Sequence, residues 1–240
     1  MNAIILAAGR GLRLKNLTDT MPKCLVQINK KSLLSRQLEI YNSISEISNI
    51  SIVRGYLKEK INDKRVNKYF ENEEWSRTNI VSSLYTCKEI LQEKDSIISY
   101  GDIFFGREII NELVNDQNDI VISYDQDFLK LWSKRFKNPL DDLETFKIDK
   151  NQYLIDIGDK TDDIQKIEGQ YMGLLKITRN GWKKIDNLLC KIDFNNIDIT
   201  QLLKILLNKN LKIKTVQNKE IWGEVDTPQD ITIYENEYDI

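Results

Sequence analysis

The residues best suited to chemistry lie near the start of the chain, where a run of small residues is followed by three cations. Small side chains let the backbone approach a ligand closely, and glycine adopts the positive φ that turns successive N–H groups toward phosphate oxygens. Arg10, Arg13 and Lys23 would neutralise those phosphates. The pattern therefore predicts a site for a nucleoside triphosphate. The candidate nucleotide-binding residues of this loop are Leu6, Ala7, Ala8, Gly9, Arg10 and Gly11.

Two common phosphate-binding motifs do not fit this loop. A P-loop needs a glycine followed directly by Lys and then Ser or Thr, whereas Lys23 comes twelve residues after Gly11 and precedes Cys24. A dinucleotide-binding fingerprint needs a third glycine at the position of Leu14. A plain glycine turn with surface cations remains the alternative.

Three acids in two distant segments would complete such a site by binding Mg²⁺. Asp102 follows an apolar run, and Glu224 and Asp226 precede Thr227-Pro228, where a helix is predicted to begin. Mg²⁺ usually takes one or two carboxylates, with phosphates and waters as its other ligands. We expect Asp102 and Asp226 to bind it, with Glu224 as a further candidate. Taken singly, Asp102 is equally a turn residue, and Asp226 is equally an acid at a helix start.

The elements that must position these residues alternate between strand and helix through the first half of the chain. Such alternation predicts an α/β fold, with helices on both faces of a parallel sheet and ligands at the carboxyl ends of the strands. The glycine loop and Asp102 both follow strands and therefore belong to that edge. The predicted strands are 2–7, 50–53, 96–100 and 120–124, and the predicted helices are 33–44, 81–91 and 108–114.

The pattern changes after Asp125. Residues 128–157 are dense in aromatic and charged side chains, with a predicted hairpin at 149–151. We expect 125–175 to form an insertion that contacts the acceptor, within a single domain covering 1–240. The remaining predicted elements are strands at 170–177 and 213–216 and helices at 181–189, 200–207 and 228–234.

Composition excludes several kinds of chemistry and partner. The 240 residues carry 35 basic and 37 acidic side chains, a net charge of −2 that gives no general attraction to nucleic acid polymers or anionic membranes. The absence of histidine excludes a His base, a Ser-His-Asp triad and a His-ligated metal. The three cysteines lack CxxC spacing and indicate neither a disulfide framework nor zinc.

Nothing in the sequence points to a membrane. No apolar run approaches the roughly 20 residues that span a bilayer. The start of the chain is a strand-like segment without a cationic leader. We expect a cytoplasmic protein, and its oligomeric state stays open.

The segment 75–85 places small polar groups at the start of a predicted helix. Thr78 would cap this helix, and Asn79 and Ser83 would contact a base or a ribose hydroxyl. Capping alone remains the alternative. Gly101, beside Asp102, is a further candidate for the nucleotide site.

The run LAAGRGLRL at 6–14, followed by Leu17-Thr18 and by Pro22-Lys23-Cys24-Leu25, resembles the signature of nucleotidyltransferases that make nucleotide-diphospho sugars and related activated alcohols. The resemblance implies a Rossmann-like, mixed, mostly parallel sheet of the GT-A type with a small β-rich insertion. It also implies two metal aspartates, Asp102 and Asp226. The residues implied to contact the transferring phosphates are Arg13, Lys23 and Lys160. Asn16 and Ser32 each replace a proline of the family pattern, which bears on loop rigidity more than on chemistry.

Two further segments, 78–84 and 168–173, resemble the cytidylyltransferase branch that acts on phosphocholine and related phosphonates. Residues 131–146 most resemble the subgroup that includes the CTP:phosphoglutamine cytidylyltransferases of capsular phosphoramidate synthesis. The resemblance implies transfer of CMP from CTP to a small phosphorylated acceptor, with L-glutamine phosphate first and phosphocholine or an aminoalkylphosphonate next. The candidate acceptor-binding residues are Arg135, Glu168, Gln170 and Tyr171; Asp141, Asp142 and Glu144 are either further contacts or a solvated face.

Two rival functions remain open. One is a sugar-1-phosphate nucleotidyltransferase that uses UTP, dTTP or GTP. The other is a non-catalytic nucleotide-binding regulator, which would have no need to keep the two cations and the two aspartates of the predicted site together.

Overall fold

The computed structural model describes residues 1–238. Within this range, no helix combines the length and the apolar character needed to cross a membrane. The strands are β1 Asn2–Ala7, β2 Gln27–Ile28, β3 Lys31–Ser32, β4 Asn49–Arg54, β5 Lys68–Glu71, β6 Ser96–Tyr100, β7 Ile103–Phe104, β8 Ile120–Asp125, β9 Glu144–Ile148, β10 Leu154–Lys160, β11 Gln170–Ile177, β12 Lys214–Gln217 and β13 Gly223–Glu224. The helices are α1 Leu33–Asn42, α2 Ile80–Tyr85, α3 Lys88–Glu93, α4 Glu108–Asn115, α5 Phe128–Arg135, α6 Arg179–Leu189, α7 Ile199–Asn208 and α8 Pro228–Glu237.

Seven strands form one sheet in the order β12-β8-β11-β6-β1-β4-β5. All neighbouring pairs are parallel except those of β11, which runs antiparallel to both β6 and β8. The mixed, mostly parallel sheet is therefore confirmed. The antiparallel strand follows the hairpin β9–β10 rather than a crossover helix, and a crossover is what a parallel connection requires.

Side chains of β1 alternate between two hydrophobic cores, one on each face of the sheet. Ala3 and Ile5 belong to the core formed with α1, α4, α5 and α8, and Ile4 and Leu6 to the core formed with α2, α3, α6 and α7. Burial of both faces explains why residues 3–7 of β1 are all apolar. Helices on both faces, as predicted, leave the carboxyl ends of the strands open for ligands.

The predicted hairpin is confirmed and lies beside the main sheet. Asp149 N–H donates to the Tyr153 carbonyl at 2.8 Å to close the turn between β9 and β10. Phe146 and Ile157 from this hairpin are buried in the second core. The last residues of the segment 125–175 belong to β11, which is a central strand of the main sheet. The role of 125–175 in contacting the acceptor stays a prediction.

The single helix predicted over 81–91 was wrong. The chain forms α2 and α3 instead, with Cys87 at φ −92° and ψ 10° between them. Thr86 Oγ1 donates to the Ser83 carbonyl at 2.8 Å. Such local side-chain bonds to the backbone compete with helix continuation.

Candidate active site

The carboxyl ends of β1 and β6 border a cavity of about 210 Å³. Gly101 N–H donates to the Leu6 carbonyl at 2.8 Å, and a Cβ on Gly101 would lie 2.8 Å from the Ala7 Cβ, so only glycine permits this close approach. A Cβ on Gly9 would meet no protein atom within 4 Å, which leaves that stretch of backbone open to a ligand. The predicted nucleotide-binding residues that line the cavity are Leu6, Ala7, Ala8, Gly9, Gly11, Asn79, Ser83 and Gly101.

The glycine loop is shaped around Lys23. Gly11 has φ +70°, and a Cβ there would lie 2.6 Å from the Lys23 Cδ. Arg10 does not line the cavity. Its guanidinium donates to Asp19 at 2.8 Å and lies 5.4 Å from the centre of the Tyr56 ring, so it holds the loop and borders a neighbouring groove.

Asn72, which the sequence did not single out, organises the side of the cavity where a base is predicted to bind. Its Nδ2 donates to Thr78 Oγ1 and to Ser83 Oγ, both at 3.0 Å. Thr78 is not the predicted helix cap, because its hydroxyl donates to the Glu74 carbonyl; the Asn79 side chain caps α2 instead. The feature of the sequence that could have identified Asn72 is its position directly after the residues that form β5.

Lys23 joins the two acids predicted to bind a metal. Its Nζ lies 2.5 Å from Asp102 Oδ2 and 2.7 Å from Asp226 Oδ1. These partners are 79 and 203 positions away along the chain. Burial lowers the pKa of Lys23, but the two carboxylates outweigh burial and raise the pKa above its ordinary value. Lys23 is therefore a firmly held ammonium ion.

Asp102, Glu224 and Asp226 form an acid cluster, and Asp226 contacts more cations than the other two. Besides Lys23, its Oδ1 contacts Arg13 Nη2 at 2.7 Å, and its Oδ2 accepts from Arg135 Nη2 at 3.0 Å. Burial raises the pKa of Asp226, but these cations outweigh burial and hold the pKa well below its ordinary range. Asp226 is consequently an ionised carboxylate at neutral pH.

Glu224 belongs to the same cluster, but its surroundings raise its pKa, whereas those of Asp226 lower the pKa of that acid. Its Oε1 accepts from Arg135 Nη1 at 2.7 Å. Burial, with the negative charge of Asp226, raises the pKa of Glu224 to about 8, although Arg135 acts in the other direction. A cation arriving beside these acids would favour the ionised form of Glu224.

The carboxylates of Asp102 and Asp226, which Lys23 Nζ joins, are a donor set that suits a divalent cation. Within residues 1–238, Asp102 Oδ1 is buried without a hydrogen-bond partner. The Lys23 ammonium shows that the two carboxylates accept a cation between them. No group of three or more acidic or thiol side chains in the described chain is placed to hold an ion alone. Mg²⁺ needs only one or two carboxylates, since phosphates and waters supply its remaining ligands.

Gln37, also not foreseen, fixes the loop that carries Asp102. Its buried Nε2 donates to the carbonyls of Tyr100 and Ile103 at 2.8 and 2.7 Å. Its Oε1 accepts from Ser99 Oγ at 2.7 Å. The amide thus holds the backbone on both sides of Asp102.

Replacing Gln37 by Leu is expected to lower the free energy of unfolding by about 3 kcal/mol, because it leaves two carbonyls and a hydroxyl buried without partners. Urea unfolding measures the loss. Gln92→Leu, at an exposed position on α3, is the matched control. Equal losses in the two variants would contradict the role given to Gln37.

Arg135 does not fit its predicted role as an acceptor contact. Its side chain is fully buried, and its guanidinium donates to Glu224, Asp226 and Asp230 rather than into the cavity. The sequence showed only a charged residue in an aromatic segment. Contacts to acids some ninety positions away give no local signal.

The other predicted acceptor residues occupy different places. Glu168 Oε2 accepts from the Ile148 N–H at 3.0 Å, at the end of β9. Gln170 and Tyr171 border a small recess beside Glu144. Tyr171 also packs edge-on behind Tyr100, a cavity residue, with ring centres 6.1 Å apart. Their contact with an acceptor stays a prediction.

Lys160 is joined to the acid cluster through Asp142. Lys160 Nζ donates to the Asp142 carbonyl at 3.2 Å, and Asp142 Oδ1 lies 3.8 Å from Arg13 Nη1. Arg13 in turn contacts Asp226. Arg13, Lys23 and Lys160 are thus linked to one another through Asp226 and Asp142. Their contact with phosphates stays a prediction.

Comparison with known proteins identifies the family of the chain. The profile of the MobA-like NTP transferase domain matches residues 3–156. The CTP:phosphoglutamine cytidylyltransferase of Campylobacter jejuni is 34% identical over 251 aligned positions, which cover 97% of this chain and 98% of that protein. The choline-phosphate cytidylyltransferase of Streptococcus pneumoniae is 37% identical over 116 positions, covering 47% of this chain and 50% of the relative.

Solved structures show the same fold. The CTP:phosphocholine cytidylyltransferase from Streptococcus pneumoniae superposes with a TM-score of 0.74 at 24% identity, covering 98% of this chain and 97% of its own. The inositol-1-phosphate CTP transferase from T. maritima gives 0.76 at 19% identity, covering 100% and 98%. Since the domain profile covers more than half of the chain and the phosphoglutamine enzyme nearly all of it, this protein belongs to the MobA-like NTP transferase family and is a nucleotidyltransferase.

Proposed function

We propose that this protein transfers CMP from CTP to a small phosphorylated acceptor and releases pyrophosphate. The observation that carries the proposal is the contact of Lys23 with both Asp102 and Asp226 beside a cavity lined by the glycine loop. The choice of CTP is supported by similarity to a cytidylyltransferase over 97% of the chain.

The reaction needs charge neutralisation more than proton transfer. The acceptor phosphate and the α-phosphate are both anionic, and a pair of unit charges at ~4 Å repels by about 4 kcal/mol at an effective dielectric constant of 20. Arg13 and Lys23 reduce this repulsion. Mg²⁺ held by Asp102 and Asp226 would polarise the phosphoryl oxygens and shield their charge. An ionised phosphate needs no general base, which suits a chain without histidine.

In the proposed step, an oxygen of the acceptor phosphate attacks the α-phosphorus of CTP. A new P–O bond forms to the α-phosphorus. The bond between the α-phosphorus and the oxygen that bridges it to the β-phosphate breaks, and pyrophosphate leaves with that electron pair. Arg13 contacts Asp226 but keeps 60% of its side chain exposed, which leaves it able to meet the phosphates. Lys160, the last residue of β10, is the third proposed phosphate contact.

We propose L-glutamine phosphate as the acceptor, on the basis of the 34% identity to a phosphoglutamine enzyme. Asp142 and Glu144 lie beside Lys160, since Lys160 Nζ donates to the Asp142 carbonyl and Glu144 pairs with Lys160 across β9 and β10. Acidic side chains at this place would suit the cationic group that L-glutamine phosphate, phosphocholine and aminoethylphosphonate share, and that a simple sugar 1-phosphate lacks. A part in capsule synthesis and a cytoplasmic location stay predictions.

A matrix of triphosphates and acceptors tests the proposal. With CTP and Mg²⁺, we expect pyrophosphate and a CDP-linked product from L-glutamine phosphate, with kcat/KM at least about tenfold above that for phosphocholine or aminoethylphosphonate. Chelation of Mg²⁺ should stop the reaction. Preference for a sugar 1-phosphate with UTP, dTTP or GTP would replace the proposal with the sugar-nucleotide function. Calorimetric binding of CTP without turnover on any acceptor would indicate a regulator.

A further inference from the structure

The Arg135 guanidinium binds a different acidic side chain with each of its three nitrogens. Nε donates to Asp230 Oδ1 at 2.9 Å, Nη1 to Glu224 Oε1 at 2.7 Å, and Nη2 to Asp226 Oδ2 at 3.0 Å. The side chain is 0% exposed. A buried charge is costly unless it is fully paired, and the rigid fork of arginine is suited to several carboxylates at once. The cluster is therefore a built arrangement rather than a chance surface pair.

Asp230 extends this arrangement to the backbone of Asp226. Its Oδ2 accepts from the N–H groups of Asp226 and Thr227 at 2.8 and 2.7 Å, while its Oδ1 accepts from Arg135. Asp226 is thus held at two points, through its own Oδ2 and through its N–H. Both points connect to the same guanidinium.

The two oxygens of Asp226 consequently have separate partners. Oδ2 accepts from Arg135, whereas Oδ1 contacts Lys23 and Arg13 on the side of the nucleotide cavity. Lys23 also reaches Asp102. If Arg135 were absent, rotation of the Asp226 carboxylate would be restrained only by the cavity-side cations, which must also serve phosphates.

We propose that Arg135 is a positioning residue of the cation site, which fixes Asp226 so that Oδ1 faces a divalent cation shared with Asp102. This inference rests on the proposed function, because it needs a cation bound there. Arg135 ends α5, the first helix of the segment expected to contact the acceptor. The same side chain therefore ties that segment to the cation site.

The variants Arg135→Lys and Arg135→Met test the inference, with Lys134→Met on the same helix as the matched control. Lysine keeps the buried positive charge, but one ammonium ion cannot reproduce the three-way fork. The affinity for Mn²⁺ in the presence of CTP is measured from the EPR signal of free Mn²⁺, and kcat and KM are measured separately. Loss of the hydrogen bonds from Arg135 to Asp226 and Asp230 should weaken Mn²⁺ binding by about tenfold to a hundredfold and lower kcat. Lys134→Met should change neither.

Wild-type protein is measured first. If it does not bind Mn²⁺ with CTP, the cation site itself is absent, which overturns both the proposed function and this inference. If wild type binds Mn²⁺ and folded Arg135→Lys binds it equally well, only the positioning role is overturned. A change confined to the KM of the acceptor would assign Arg135 to acceptor binding after all. Should Arg135→Met fail to fold, Arg135→Lys decides.

Discussion

Replacing Asp226 by Asn is expected to lower kcat by about a hundredfold to a thousandfold, the scale on which single electrostatic groups of an active site act. Asparagine keeps the size of the side chain but removes the charge that Lys23 and Arg13 contact through Oδ1. A divalent cation would lose one of its two carboxylates by the same change. Asp102→Asn should give a loss of similar size, because it removes the other. Pyrophosphate release with CTP and the acceptor measures the effect.

Stability must be separated from chemistry in this experiment. Asp226 Oδ2 also accepts from buried Arg135, so a thermal melt of Asp226→Asn is recorded beside the kinetics. Asp162→Asn, at an exposed position, is the matched control and should keep full activity. Folded Asp226→Asn and Asp102→Asn proteins with near-normal turnover would remove both residues from the reaction.

Lys23→Met is expected to lower turnover by about a hundredfold or more and, at the same time, to increase the affinity of the nucleotide-free protein for divalent cations. Turnover falls because the triphosphate loses a fixed positive charge. Affinity rises because the Lys23 ammonium lies between Asp102 and Asp226, where the cation is proposed to bind. Without it, two carboxylates are left to attract a cation, and Asp102 already has one buried oxygen without a partner in the described chain.

Titration with Mn²⁺ in the absence of CTP tests the expected rise in affinity, and pyrophosphate release with CTP and the acceptor tests the fall in turnover. We expect tighter Mn²⁺ binding and a larger rise in Tm with added Mn²⁺ for Lys23→Met than for wild type. Lys137→Met, which removes an exposed lysine, should behave as wild type. Weaker Mn²⁺ binding in Lys23→Met would mean that the cation and the ammonium do not compete for one position.

The convergence of Asp102 and the glycine loop was predictable because it follows from sheet geometry. Both follow parallel strands, and the carboxyl ends of such strands meet at one edge. Lys23 was predicted to act on phosphates from its motif, but its contact with both aspartates was not foreseen. A flexible side chain that pairs with residues 79 and 203 positions away leaves no periodic signal.

The residues that support the site could not be predicted from the sequence, because their partners are also far away along the chain. Gln37 looks like any polar residue of an amphipathic helix, yet its amide faces inward and holds the loop around Asp102. Arg135 was assigned to the acceptor because it lies in the charged, aromatic segment 131–146 that resembles the cytidylyltransferases. Its burial depends on α5 packing against α8, and that packing is a tertiary event.

The local errors have local causes. The helix predicted over 81–91 carries the right apolar spacing, but the Thr86 hydroxyl bonds back to the chain and the helix breaks there. The apolar run 170–177 indicates a strand without indicating its direction. In the structure this strand runs antiparallel to both neighbours, β6 and β8.

The position of the cation in the complex with CTP tests the account most directly. Crystals grown with CTP and Mn²⁺ would show the ion through its anomalous scattering. We predict one Mn²⁺ between Asp102 and Asp226, in contact with the triphosphate, and Lys23 Nζ moved from the carboxylates to a phosphate oxygen. An ion bound elsewhere, or Lys23 still joining the two aspartates with CTP in the cavity, would contradict the account.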